Sequence, residues 1–137
     1  MKKVALALLC CLLALAFTGC TRTPAQTEEE PTLPAWAEEE PLAQQAREVV
    51  ELINAQDFDA VAALSEEAFT GDQLREVFGG SLESFGAFDS LGDSVCEDAT
   101  ENGIEFVTVR QEAHYENSTV TYNMSFSEGN VLRGLWL

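Results

Sequence analysis

Beyond Lys3 the 137-residue sequence contains no lysine. Five arginines then stand against 24 acidic residues, so the chain after residue 20 carries a net charge of −19. A surface of that sign repels nucleic acid and anionic headgroups, which excludes nucleic acid as a partner. Histidine is almost missing as well, since His114 is the single one. One histidine and one distant cysteine cannot build a zinc site, so no metal is expected. Cysteine is scarce and lopsided: Cys10, Cys11 and Cys20 crowd the start, and Cys96 alone lies beyond them. A chain cut before Cys20 and modified there would hold no internal disulfide. Cys96 follows Val95 in an apparent strand, where a small buried apolar side chain is its expected role. No phosphate loop appears, because Phe78-Gly79-Gly80-Ser81 lacks the lysine and the strand–turn–helix setting. No cofactor is implied. Nor does any apolar run reach the roughly 20 residues that a spanning helix requires.

The start of the chain has its own logic. Lys2 and Lys3 precede an uncharged apolar run of 14 residues, Val4 to Phe17. That is the pattern of a secretory signal, with a basic first region and a short apolar second one. It ends in Phe17-Thr18-Gly19-Cys20, which resembles the bacterial lipobox, although Phe17 stands where leucine is usual. The resemblance implies a signal peptide over 1–19, cleavage after Gly19 and diacylglycerol on the Cys20 sulfur. Buried acyl chains contribute about 0.8 kcal/mol per methylene, and two or more chains hold a protein on its membrane. The expected location is therefore the extracytoplasmic face of a bacterial membrane. A diderm cell would pass such a protein on to the outer membrane, and a monoderm would keep it on its only one.

Residues 20–40 read as a tether. They contain Pro24, Pro31 and Pro34 and two glutamate triplets, Glu28–Glu30 and Glu38–Glu40. So little apolar surface and so much like charge predict an extended, disordered segment. Twenty residues span at most about 65 Å. Consecutive carboxylates without a glycine turn make a poor calcium cage, so solvation is their expected role. Trp36 is the exception, placed either to dock on the domain or to mark where order begins.

The remaining residues, 41–137, read as one small α+β domain. Leu42, Ala46, Val49, Val50 and Ile53 recur at helical spacing, with Pro41 tolerated in the first turn. Asp57 is placed to cap a short helix carrying Phe58, Val61, Ala62 and Leu64. Thr70 and Gln73 form a capping-box pattern ahead of Leu74, Val77, Phe78, Leu82 and Phe85, and Gly86 is a plausible stop. The period then changes to two. Strands are expected over Phe88–Glu97, Ile104–Glu116, a third around Val120–Phe126, and Val131–Leu137. Val120, Tyr122, Met124 and Phe126 share one face of the third strand. Asn117-Ser118-Thr119 suits a turn. About three N-terminal helices would cover one face of a four-stranded antiparallel meander.

Three stretches carry a resemblance: VVELINAQDFDAVAALSEEAF, LESFGAFDSLG and GNVLRGLWL. The domain resembles a small nuclear transport factor 2-like (cystatin-like) domain of an uncharacterised bacterial family found on secreted proteins and lipoproteins. That resemblance implies a curved sheet wrapping the helices into a cone, whose mouth often binds a ligand. It names no catalytic motif. The leading expectation is a binding or interaction module for a small apolar ligand or an envelope protein. Phe106, Tyr122, Phe126 and Trp136 are the candidate pocket residues, with His114 beside them. The alternative is a small isomerase- or hydrolase-type enzyme using His114 or a buried carboxylate as base. Arg110 and Arg133 are expected to meet carboxylates such as Glu112 or Glu105 across the sheet.

Thr119, Thr121, Asn123 and Ser125 give the third strand a polar second face, which disfavours a large dry interface. The domain is expected to be a monomer or a weak homodimer. Sedimentation at micromolar concentration checks this, and a tight dimer would contradict it.

Overall fold

The computed structural model describes residues 32–137. The signal segment, the Gly19 cleavage site, Cys20 and the tether up to residue 31 lie outside the described residues. Three helices precede four strands: α1 (Glu39–Asn54), α2 (Phe58–Ala63), α3 (Gly71–Phe85), β1 (Phe88–Glu101), β2 (Ile104–Tyr115), β3 (Thr119–Ser127) and β4 (Val131–Trp136). The strands form one open antiparallel sheet in the order β1-β2-β3-β4. The fold is α+β.

The tail of the expected tether belongs to the folded part. Leu33, Trp36 and Ala37 pack against the core, Pro34 is buried, and the Ala37 N–H donates to the Pro34 carbonyl at 2.9 Å. The apolar surface of Leu33 and Trp36 outweighs the local charge here. α1 follows, with Glu39 and Glu40 in its first turn, where carboxylates suit the positive end of the helix dipole. Its buried stripe is Leu42, Ala43, Ala46, Val49, Val50 and Ile53. The Asp57 side chain accepts from the Ala60 N–H at 3.2 Å and starts α2. Thr70 and Gln73 close a capping box on α3, and Gly86 ends that helix at φ 82°, a conformation that favours glycine.

Asn102 and Gly103 connect β1 to β2 with φ of 53° and 80°. A two-residue loop with both residues in the left-handed region matches the twist of the strands it joins. This tight turn carries β1 on to Glu101, four residues past the expected end at Glu97. α1 lies across β1, β2 and β3, so one face of the sheet is covered. Cys96, Val107, Val109, Ala113, Tyr115, Tyr122, Met124, Phe126 and Leu132 fill that inner face. Each fully buried large apolar side chain contributes about 1.5–3 kcal/mol. Burial, and then the nearby Glu39 charge, push the Cys96 thiol up, which keeps it protonated and unreactive.

Gln111 is the buried polar exception on this face. Its amide donates to the carbonyls of Gly92 at 3.0 Å and Glu112 at 2.8 Å, and its oxygen takes the Ser94 hydroxyl hydrogen bond. These bonds bridge the register shift between Leu91 and Ser94, where β1 bulges. β1 shifts register again between Phe88 and Ser90, and a third irregularity places Arg133 of β4 opposite the step from Ser125 to Phe126. Such bulges bend a sheet.

Deep in the core the hydroxyls of Tyr115 and Tyr122 lie 2.6 Å apart. Burial, then the hydrogen bond and the proximity of Tyr115, raise the Tyr122 phenol above its ordinary value of 10.0. The unfolded chain therefore releases this proton first as pH rises, so its contribution is intact below pH 10 and is lost above it. Tyr122→Phe should cost about 1–2 kcal/mol at neutral pH, because it strands the Tyr115 hydroxyl, and should shrink the alkaline loss of stability. Denaturant titrations of both chains at neutral and strongly alkaline pH measure the two effects.

Candidate functional site

Strand alternation sends the other set of side chains to the uncovered face. Register assigns them to rows. Val95 pairs with Arg110, Arg110 with Asn123, and Asn123 with Trp136. One row along, Glu112 pairs with Thr121, and beyond it His114 pairs with Thr119. In the opposite direction Phe106 pairs with Ala99, and Ile104 with Glu101 next to the hairpin turn. This face is polar in β3 but mixed elsewhere. Val95 is 45 % exposed, Ile104 57 % and Trp136 46 %.

The candidate pocket residues divide between the two faces. Tyr122 and Phe126 are wholly buried under the helices, with Tyr122 beside the Phe78 ring at 6.2 Å between centroids. They fill the core, and the ligand site expected to unite them with Phe106 and Trp136 does not form. Phe106 and Trp136 do come together on the open face. They line a cleft of about 270 Å³ with Glu101, Ser125, Arg133 and Gly134. A Cβ on Gly134 would come within 3.1 Å of the Trp136 ring, so the missing side chain lets the indole lie flat across β4.

A second cleft, of about 300 Å³, lies further along the same face. Asp93, Val95, Arg110, Glu112 and Thr121 line it. Arg110 Nη2 is 2.5 Å from Glu97 Oε1, so this guanidinium is neutralised by a neighbour on β1. Arg133 reaches Glu66 at 3.5 Å and donates from Nε to the Ser127 hydroxyl at 3.0 Å. Arg110 does meet a carboxylate across the sheet, but Glu97 and not Glu105 or Glu112, whereas Arg133 meets Glu66 off the sheet. The two-residue hairpin places Glu97 one step diagonally from Arg110, and the bulge turns Arg133 toward the α2–α3 loop.

His114 sits at the far end of the open face. Its Nε2 is 3.2 Å from Glu112 Oε1 and its Nδ1 is 3.2 Å from Thr119 Oγ1. The histidine and glutamate side chains are 38 % and 42 % exposed, so water reaches both. The arrangement orients the ring but does not enclose it. Among the described residues no group of three or more His, Cys, Asp or Glu side chains is placed to hold a metal. No described helix is long and apolar enough to cross a membrane.

Val95, Ile104 and Asp93 belong to this face without having been singled out. Their signal was available: Asn102-Gly103 sets the register, and alternation does the rest. Gly92 inside a strand was likewise a sign of a bulge.

No family model and no curated protein matches the sequence. Among solved structures the fold is similar to the NMR structure of a protein from Ruminococcus gnavus ATCC 29149, with a TM-score of 0.66 and 19 % identity. The similarity covers 78 % of this chain and 96 % of that one. At this identity the likeness concerns the fold alone.

A Cβ at Gly92 would lie 2.7 Å from Glu112 Oε1 and 3.0 Å from His114 Nε2. Gly92→Ala should therefore part the Glu112–His114 pair at a stability cost of about 1–2 kcal/mol. The His114 ring resonances in NMR spectra should move, and unchanged resonances would refute the close approach.

Proposed function

We propose that this chain is a lipid-anchored, extracytoplasmic interaction module of bacteria, and that the open face of its sheet docks a partner protein. One observation carries the docking half. Three apolar side chains, Val95, Ile104 and Trp136, stay about half exposed on the face that no helix covers, and Phe106 lies among them. Aromatic anchors bordered by polar groups are the usual composition of a protein docking surface. The buried positions of Tyr122 and Phe126 weigh against an apolar ligand held between sheet and helices. The anchoring half rests on the sequence: Lys2, Lys3, the apolar run and Phe17-Thr18-Gly19-Cys20.

The finer fold reading is a nuclear transport factor 2-like (cystatin-like) domain. Helices on one face, an antiparallel meander and the register bulges that curve it are the features in its favour. In this reading the partner docks on the convex outside of the sheet, and the helical side is structural.

An enzymatic reading draws on one feature, the chain of contacts from Thr119 through His114 to Glu112. It has the residue types of a hydroxyl–imidazole–carboxylate relay. Its exposure on an open strand face works against it, because a base and a charge stabiliser gain most where water is excluded.

Fractionation and native electrophoresis test the proposal together. The wild-type chain should pellet with membranes, and Cys20→Ala should move to the soluble fraction. From mildly solubilised membranes the wild type should migrate as a complex with another protein. Phe106→Ala/Trp136→Ala should remain folded and lose that complex. A double variant migrating as the wild type does would overturn the docking face.

A further inference from the structure

We infer that the protein docked on the open face presents a basic side chain and, about four extended residues away, an apolar one. This inference rests on reading the face as a docking surface and adds the chemistry of what docks there.

The two clefts differ in kind. Arg110 and Glu112 of β2 border the Asp93 cleft, and Phe106 borders the Trp136 cleft. Thr108, directly across from Ser125 of the Trp136 cleft, marks the near end of that cleft on the same strand. The steps from Phe106 to Arg110 and from Thr108 to Glu112 are each four residues, or roughly 13 Å along a strand. The Trp136 cleft has the Phe106 ring and the Trp136 indole as apolar walls, with Glu101, Ser125 and Arg133 completing its lining. The other has two carboxylates, Asp93 and Glu112, the second already 3.2 Å from His114 Nε2 through one oxygen, and its one cation is engaged by Glu97. Asp93 takes no ion pair among the described residues. A guanidinium or ammonium entering this cleft would meet both carboxylates, with its methylene stem against Val95 and Thr121.

Charge argues against the other occupants. A second copy brought face to face would set Asp93, Glu97, Glu101 and Glu112 near their own counterparts, and like charges juxtaposed at an interface are costly. The chain as a whole carries −17, so copies also repel at a distance. An anionic lipid surface has the wrong sign. So does the Glu28–Glu30 stretch of this chain. A cationic, apolar protein segment is complementary on both counts.

Photocrosslinking of the full chain in its native membranes tests this. A photoreactive benzoylphenylalanine replaces Val95, which lines the acidic cleft in the row it shares with Trp136 of the other cleft, and adducts are sequenced by mass spectrometry. A second chain carries the probe at Val77 on α3, a helix position 60 % exposed, as a control. The expected adduct maps to a segment with a lysine or arginine four residues from an apolar side chain. Its yield should fall about tenfold in Asp93→Asn/Glu112→Gln, and similarly when salt is raised enough to screen surface charge. An adduct that survives both changes but disappears in Trp136→Ala leaves the docking face standing and overturns the basic partner. An adduct with a second copy of this chain does the same. Absence of any adduct from position 95, or the same adduct from positions 95 and 77, overturns the docking face itself.

Discussion

The stripe of α1 from Leu42 to Ile53 pressed on the inner residues of β1 and β2, and reaching β3, is the contact on which the rest depends. It supplies most of the packing between the helices and the sheet. Because strand side chains alternate, covering one face commits every second residue to the core and every other one to water. Tyr122 and Phe126 are thereby removed from chemistry, and Phe106, Trp136 and His114 are delivered to the surface. The open face owes its composition to what α1 does not cover.

Bulges then decide how that face is shaped. A regular β1 would place Gly92 and Asp93 in ordinary register against Ala113 and Glu112. Instead Gln111 gathers the carbonyls at the shift and accepts from Ser94, so a polar side chain is kept in the core at no loss of hydrogen bonding. The displaced backbone brings Gly92 against Glu112 and His114 and sets Asp93 at the rim of the acidic cleft. On the opposite edge the extra residue, Arg133, swings toward Glu66 and Ser127. Gly134 and Trp136 then share the outer face with Ser125 and Asn123, and the indole closes the apolar cleft.

Much of this architecture is legible in residues. The helical spacing in α1, the Asp57 cap, the Thr70–Gln73 box and the Gly86 stop all lie in local sequence, and local hydrogen bonds enforce them. The alternation in β3 reads directly as a buried and a solvated face. The end of β1 was legible too, through Asn102-Gly103, because a two-residue left-handed turn forces Glu101 opposite Ile104 and so Glu97 diagonal to Arg110. Reading Phe106 as a companion of Tyr122 failed for a plain reason: both are aromatic, but parity puts Phe106 with Thr108 and Arg110, away from Val107 and Val109.

The sequence by itself determined what short-range physics controls: element type, caps, turns, the alternation of each strand, the acidic balance and the lipobox-like start. Tertiary structure alone decided that Arg133 meets Glu66, where β1 slips its register, and that Leu33 and Trp36 leave the tether for the core. Those outcomes depend on groups far apart in the chain whose proximity exists only after the sheet has formed. A bulge costs little locally and is selected by a buried amide 17 residues away from the serine it binds. Glu66 and Arg133 lie on opposite sides of α3 and three strands in the chain, so no local pattern could announce their meeting.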